Sequence, residues 1–411
     1  MFIKEKRLKV TGGAPPYELL LFVAFFLEFL IFVPEMRYLN PFCSVYYTLS
    51  FKDFGFISRI VLGSVIRLFT DYVTARTVYA VIMVFTVSLI LFVSVLLGRA
   101  IRTVSKNTGA GAETLALFIA CPVTIQYLFN IENFGRFDLQ SILVTVVLLY
   151  CIRSEKAKWL VPFLCVFAMV LSFNFAFMYM PVAGIVMLYE YFRDGSKKRL
   201  LILILSCLSV AVLFVYLKLL APAPDLKNLR EVKNYLAGIT DIQGGEVPVF
   251  YDICYPFAKV YSSGAHNAYG WIADIAKTYG VAMLFITAPV IALLAGFWKT
   301  AINSAEKKSN KFVFLLSLAA PVGVAPLFLA VDWHRWIHTM FISQFMLAFY
   351  FLAVNDTDVT GALIRLKERL ERRPLLFLVL LIYSATFIFS NHLDLFISVM
   401  SKHIDSYLDF R

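Results

Sequence analysis

Several signatures of soluble enzymes are absent from this chain of 411 residues. It has no GxxxxGKS/T loop and no GxGxxG turn between a strand and a helix, so the common nucleotide-binding motifs are excluded. Its six cysteines show no metal-ligand spacing. No internal repeat with a period of about 20–50 residues occurs, which excludes solenoids. The strand alternation of an outer-membrane barrel is also missing.

What the chain has in abundance is apolar sequence. Hydrophobic residues make up 60% of it and the mean hydropathy is +0.78, whereas a soluble domain has about 45–50% apolar residues. Several runs approach the roughly 20 residues that a helix needs to cross about 30 Å of hydrocarbon. Backbone polar groups need internal partners in lipid, so these runs must be helical. They lie near residues 17–34, 76–97, 114–131, 139–152, 159–173, 180–192, 200–220, 278–298, 312–330, 338–354 and 375–390.

Lysine and arginine cluster in every second gap between these runs. Six alternate gaps hold 23 of the 38 basic residues, namely 4–9, 99–106, 153–158, 193–199, 299–311 and 365–373. The positive-inside rule places these gaps and the amino terminus in the cytoplasm, and the carboxyl terminus outside. The sequence therefore predicts an all-α polytopic transmembrane bundle of about eleven helices, a single integral membrane domain in a bacterial inner or plasma membrane. Because the basic residues orient helices against anionic headgroups, the net charge of +11 does not indicate nucleic acid as a partner.

Two outward segments are long. The first, at 34–75, mixes apolar and charged residues in a way that predicts one or two amphipathic helices on the membrane surface. The second, at 221–277, begins with Ala-Pro-Ala-Pro and contains Gly244-Gly245, so we expect loop and short helix.

Three outward clusters carry residues able to do chemistry. They span 52–59, 132–138 and 332–338, and all three are expected near the same membrane boundary. Arginine binds phosphate through two parallel hydrogen bonds, and a carboxylate can take a proton from an attacking sugar hydroxyl. The plainer interpretation is local charge pairing, with Arg136 neutralising Glu132 or Asp138 and Arg335 pairing with Asp332. The candidate substrate-binding residues are Arg59, Arg136, Asp332, His334, Arg335 and His338.

A family resemblance rests on residues 113–153, which read ETLALFIACPVTIQYLFNIENFGRFDLQSILVTVVLLYCIR. An apolar helix with a proline, a short hinge with a carboxylate and a helix ending on a basic turn resemble the third and fourth helices of the GT-C membrane glycosyltransferases. The long first outward loop is similar too, and the resemblance covers about the first 200 residues. No Asp-Glu or Asp-Asp pair directly follows the first helix, which departs from the family pattern.

The resemblance implies a transferase that uses a polyprenyl-phosphate-linked sugar and a glycan acceptor outside the membrane, in cell-envelope glycan assembly. By position, Glu35 or Asp53 would be the base, and Asp138 or Glu132 the second carboxylate. Such carboxylates can hold Mg²⁺ or Mn²⁺, although no spacing requires a metal.

Two other functions compete with transfer of a single sugar. A polysaccharide polymerase or ligase would also have enlarged outward loops, with His334, Arg335 and His338 at its centre. A transporter of lipid-linked glycans would have charges near the midplane of the membrane, whereas the charges here lie at the outer boundary.

Overall fold

The described part of the chain is helical. The computed structural model describes residues 16–33, 35–36, 39–108, 134–220, 226, 228–250, 253, 281–329, 333–373 and 375. No β-strand occurs among these residues, and their one isolated bridge joins Val73 to Thr240. The predicted run at 114–131 and nearly all of the run at 375–390 lie outside the described residues.

Sixteen α-helices are described, and we number them in chain order. They are α1 (Tyr17–Phe32), α2 (Pro41–Ser44), α3 (Phe51–Phe54), α4 (Val61–Ile66), α5 (Ala75–Thr108), α6 (Phe137–Arg153), α7 (Val161–Leu171), α8 (Phe175–Met178), α9 (Met180–Asp194), α10 (Lys197–Val215), α11 (Leu229–Ile239), α12 (Glu246–Val249), α13 (Val281–Ser304), α14 (Lys308–Ala319), α15 (Trp333–Ala353) and α16 (Thr357–Glu371). Short 3₁₀ segments occupy Val45–Thr48, Ala157–Leu160 and Ala320–Leu329, and a π-helical turn follows α10 at Tyr216–Leu220.

Three of these helices are long and apolar enough to cross a membrane. They are Ala75–Asn107, Lys197–Val215 and Trp336–Ala353. In the most apolar 18-residue window of each helix, 22% of Lys197–Val215 is buried inside the protein, compared with 83% of Trp336–Ala353. The second helix therefore presents most of its apolar surface to the outside, as lipid contact requires.

The chain divides into two compact units. The first comprises Met1–Val95 and Leu128–Ser263, and the second comprises Leu96–Tyr127 and Gly264–Arg411. In the first unit α6 packs against α7 and α9, and α10 packs against α7 and α9. Nearly every residue of α6 is buried, including those on opposite faces, so α6 is an interior helix.

The second unit is built from α13, α14, α15 and α16. Its core contains Trp298, which is fully buried and lies 5.2–6.3 Å, ring centroid to ring centroid, from Phe297, Phe314 and Phe351. Asp356 directly precedes α16, and its carboxylate accepts hydrogen bonds from the backbone amides of Asp358 and Val359. This cap satisfies amides that the helix itself leaves free.

The segment at 34–75 has short helices where it is described. Its helices α2, α3 and α4 have only four to six residues. Phe54, Ile57 and Ile60, which lie in the stretch predicted to form surface helices, are buried within the protein with exposures of 3%, 8% and 0%. This part of the segment is therefore packed into the first unit.

Candidate functional site

The two long segments that the sequence predicts to face outward pack together in the first unit. We call their described parts, residues 39–74 and 228–250, the cap. The Val73 amide donates to the Ile239 carbonyl at 2.8 Å, and Asp241 Oδ1 accepts from the Ala75 amide at 2.6 Å, which caps the start of α5. Gly245 approaches so closely that a Cβ there would lie 2.5 Å from the Val45 side chain. Only glycine fits that approach without displacing Val45.

Asp53 is the carboxylate at the centre of the cap. Its Oδ2 accepts hydrogen bonds from the Ser50 hydroxyl at 2.8 Å and from the Tyr235 hydroxyl at 2.6 Å. Within the described residues its Oδ1 accepts no hydrogen bond, and 25% of the side-chain surface is exposed. One oxygen is therefore fixed by two donors while the other keeps its acceptor capacity.

Arg67 sets the charge environment of Asp53. Its guanidinium lies 3.8 Å from Asp53 Oδ2, donates to the Thr48 carbonyl at 3.3 Å and is 13% exposed. Burial acts to raise the pKa of Asp53, but the hydrogen bonds from Tyr235 and Ser50 and the charges of Arg67 and Lys52 outweigh it. The net effect lowers the pKa, so the carboxylate is ionised at neutral pH.

Tyr235 couples α11 to Asp53 in two ways. Besides its hydrogen bond, its ring packs edge-on against Phe54 at 5.2 Å between centroids. Burial and the neighbouring Asp53 carboxylate raise the pKa of the Tyr235 phenol. The phenol therefore stays protonated and keeps donating to the carboxylate.

Arg59 is held in a strained and oriented position. Its φ of 76° lies in the left-handed region, which is costly for a residue with a side chain. Its amide donates to the Val170 carbonyl at 2.9 Å. The guanidinium lies 5.5 Å from the ring centre of Tyr46 and 5.2 Å from that of Phe173, a cation–π arrangement that orients its plane.

Tyr47 ties the cap to the hinge that precedes α6. Its hydroxyl donates to the Gly135 carbonyl at 3.0 Å and accepts from Gln140 Nε2. Its ring stacks on Phe137 at 5.2 Å between centroids. Gly135 has φ of 91°, and a Cβ there would lie 2.7 Å from the Ile82 side chain, so the turn requires glycine. The hinge is therefore held in one geometry.

The hinge carries two of the predicted site residues. Asp138 is in the first turn of α6 and is only 3% exposed, while Arg136 is half-buried at the position that precedes the helix. An acid in the first turn is favoured by the helix dipole. The first and second predicted clusters thus meet through Tyr46 and Tyr47, whose rings lie 6.0 and 5.2 Å from Phe137.

The remaining predicted residues have other places. Glu35 is exposed just beyond α1. Glu132 and Asp332 lie outside the described residues. His334 and Arg335 are in the first turn of α15, where the backbone alone is described, and His338 further along α15 is 1% exposed. These residues of α15 belong to the second unit.

A second charged cluster lies at the other end of α6, and we call it the Arg199 network. Arg199 is 5% exposed, donates to the Ile152 carbonyl and to Glu155 at 2.6 Å each, and pairs with Asp194. Glu190 is fully buried, with Arg193 at 2.6 Å. The network also includes Arg153, 3.5 Å from Glu190. Apart from Glu190, which lies in the run at 180–192, these charged residues fall in gaps predicted to be basic turns that orient helices, and the interhelical pairing was not predicted.

Three contributors to the Asp53 site were not predicted from the sequence, namely Ser50, Arg67 and Tyr235. Arg67 is visible in the sequence only as one charge in an amphipathic stretch. Tyr235 is 182 positions from Asp53, and no local pattern links the two. Among the described residues no group of three or more His, Cys, Asp or Glu side chains is arranged to hold a metal ion.

Comparison of the chain with protein-family models, with curated proteins and with solved structures finds no match. The assignment of function therefore depends on the chemistry of the cap and the hinge.

Proposed function

We propose that the protein is a membrane glycosyltransferase whose donor is a polyprenyl-phosphate-linked sugar and whose acceptor is a glycan, acting on the outer side of the membrane in cell-envelope assembly. The proposal includes the predicted topology of about eleven crossings in a bacterial inner or plasma membrane, with the amino terminus inside and the carboxyl terminus outside. The three helices with the length and composition of membrane spans support its membrane part.

The observation that carries the proposal is the asymmetric hydrogen bonding of Asp53. Two hydroxyls fix Oδ2, whereas Oδ1 accepts no hydrogen bond within the described residues. A general base needs a carboxylate that is ionised, oriented and open on one side.

In the proposed reaction an acceptor hydroxyl attacks the anomeric carbon of the donor sugar. Asp53 Oδ1 takes the hydroxyl proton as the new carbon–oxygen bond forms. The bond between the anomeric carbon and the phosphate oxygen breaks, and polyprenyl phosphate leaves with the electron pair. The products are the extended glycan, polyprenyl phosphate and a protonated Asp53, which returns its proton to solvent through its exposed surface.

Arg59 is assigned to the phosphate of the donor. Its planar guanidinium can form two parallel hydrogen bonds to a phosphate, and two aromatic rings restrict its orientation. Asp138 and Arg136 flank Phe137 in the hinge that Tyr47 contacts, and both are assigned to substrate positioning.

The proposal is tested by transfer from a polyprenyl-phosphate-linked sugar to a glycan acceptor, using purified protein in lipid vesicles. We expect Asp53→Asn to lose transfer by roughly a hundredfold or more, the range of a missing general base. Asp71→Asn is the matched control, because Asp71 is an exposed carboxylate of the same segment, and it should keep full activity. Equal activity in both variants would remove Asp53 from the reaction.

The same assay separates transfer of one sugar from polymerisation. A glycosyltransferase lengthens the acceptor by one sugar, whereas a polymerase or ligase transfers a whole repeat unit and yields a ladder of products. Electrophoresis of the labelled product distinguishes the two patterns.

A further inference from the structure

The turn between α4 and α5 exposes a group of large apolar side chains. Val65, Leu68, Phe69 and Tyr72 are 50%, 79%, 85% and 46% exposed. We call these four residues the apolar tip. Leaving such side chains in water is unfavourable, because each would gain free energy on transfer to an apolar medium.

The tip is held outward by the protein rather than left loose. The Leu68 and Phe69 amides donate to the Val65 and Ile66 carbonyls at 3.2 and 3.0 Å, which continues the helical turn of α4. On the far side the Val73 amide is fixed to α11, and Val73 is fully buried. The exposure of the tip is therefore imposed by the fold.

The position of the tip points to lipid as its partner. α5 has the length and composition of a membrane span and begins at Ala75, three positions after Tyr72. A residue so close to the start of a span lies near the membrane boundary, where tyrosine is enriched. Four side chains exposed by 46–85% offer less area than the roughly 800 Å² per partner of a stable protein interface.

We propose that the apolar tip inserts into the lipid leaflet that the start of α5 enters. The interaction differs from the predicted surface helices, because Phe54, Ile57 and Ile60 are packed into the protein and the contact with lipid is assigned to the tip rather than to the whole segment. Insertion does not depend on the proposed enzyme activity.

One consequence does rest on the proposed function. Arg67 directly precedes Leu68 in sequence and lies 3.8 Å from Asp53. With Leu68 and Phe69 in the leaflet, the Asp53 site lies at the depth of the lipid headgroups. That is the depth at which the phosphate of a polyprenyl-linked donor sits.

The experiment uses tryptophan as a depth probe in the full-length protein. Phe69→Trp and, separately, Asn234→Trp are reconstituted in vesicles of phosphatidylcholine brominated near the headgroup end of the acyl chain. Asn234 is exposed on the polar side of α11 and is the water-facing control. Emission of the parent protein, which has five tryptophans, is subtracted. Iodide added to the aqueous phase is the second quencher.

We expect the emission added by Phe69→Trp to be blue-shifted, to lose most of its intensity to the bromolipid and to be unaffected by iodide. Asn234→Trp should show the opposite pattern. Quenching of the Phe69→Trp emission by iodide and not by bromolipid would place the tip in water and overturn the proposal. Quenching by neither would show that protein covers the tip, a second copy of the chain for example, and would also overturn it. Leu68→Trp repeats the test should Phe69→Trp express poorly.

Loss of transfer activity is not a readout of this experiment. Insertion of the tip in a protein without transferase activity would refute the proposed function and leave the lipid contact standing. An active enzyme with its tip in water would refute the lipid contact alone.

Discussion

The two charged clusters of the first unit lie at opposite ends of α6 and differ in how their groups are satisfied. α6 has 17 residues, so its ends are about 25 Å apart. In the Arg199 network the fully buried Glu190 lies within 4 Å of Arg153, Arg193 and Arg199. In the cap, Asp53 keeps one oxygen without a hydrogen bond among the described residues and is a quarter exposed.

This difference indicates which charged cluster has a structural role and which one is able to act on a substrate, without a bound ligand. The Arg199 network joins neighbouring helices around the fully buried Glu190 and so contributes to the fold. Asp53, whose partners fix it from one side, retains acceptor capacity for substrate on its other oxygen. We therefore assign stability to the Arg199 network and propose chemistry for Asp53, and the following variants test this contrast.

The largest effect is expected for Arg199→Ala. This change removes the cation that joins Glu155, Asp194 and the end of α6, and it breaks the buried pair of Arg199 with Glu190, 3.8 Å apart. Breaking a buried ion pair costs about 3–5 kcal/mol. Thermal unfolding in detergent should show a large loss of stability. Lys198→Ala, at an exposed neighbouring position, should change stability by less than about 0.5 kcal/mol. Similar unfolding of the two variants would contradict the structural role.

An intermediate effect is expected for Tyr47→Phe. The change keeps the ring stacked on Phe137 but leaves the Gly135 carbonyl and Gln140 Nε2 without their buried partner. A buried polar group left unsatisfied costs about 1–3 kcal/mol. Unfolding should therefore occur at lower temperature than in the parent protein but at higher temperature than in Arg199→Ala. Wild-type stability would show that the hinge is held by other contacts.

The smallest effect at neutral pH is expected for Tyr235→Phe, which keeps the ring contact with Phe54 and removes the hydrogen bond to Asp53. Burial already favours the protonated form of Asp53, and the lost hydrogen bond was one of the interactions that opposed it. The pKa of Asp53 should rise, so the acid limb of the transfer rate should move to higher pH. Activity at neutral pH should change little.

The free energy of unfolding should also depend on the pKa of Asp53. A carboxylate with a lowered pKa stabilises the fold above its ordinary pKa, and this contribution is lost as the pH falls through the folded value. Tyr235→Phe should reduce that contribution. Tyr72→Phe, which alters an exposed tyrosine of the apolar tip, should leave the pH profile where it is in the parent protein. A shift shared by both variants would rule out a specific role for Tyr235.

The helices were largely predictable from the sequence because hydrophobic runs and basic turns are local signals. The run at 139–152 corresponds to α6 at Phe137–Arg153, and the run at 180–192 to α9 at Met180–Asp194. Gly195, with φ of 65°, ends α9 in the left-handed conformation that glycine favours. The number of membrane crossings stays a prediction beyond the three helices of spanning length.

The site was predictable only in part because its contacts join distant segments. Asp53 and Arg59 stand out as charges in an outward loop, and both are candidates from the sequence alone. Their partners Tyr235 and Val170 come from elsewhere in the chain. A tyrosine in a polar helix does not indicate from the sequence which distant residue it will contact. The amphipathic pattern at 54–71 could not separate Phe54, Ile57 and Ile60, which are buried in protein, from the exposed Leu68 and Phe69, since burial against protein and burial in lipid select the same apolar residues.

The most direct test measures unfolding temperature and transfer activity on the same preparations of Asp53→Asn and Arg199→Ala. Asparagine keeps an oxygen that can accept from Ser50 and Tyr235, so Asp53→Asn should unfold at nearly the wild-type temperature while losing transfer. Arg199→Ala should unfold at a much lower temperature, yet its folded fraction should transfer sugar at the wild-type rate. Wild-type transfer by Asp53→Asn, or a loss of stability equal to that of Arg199→Ala, would contradict the assignment of chemistry to Asp53.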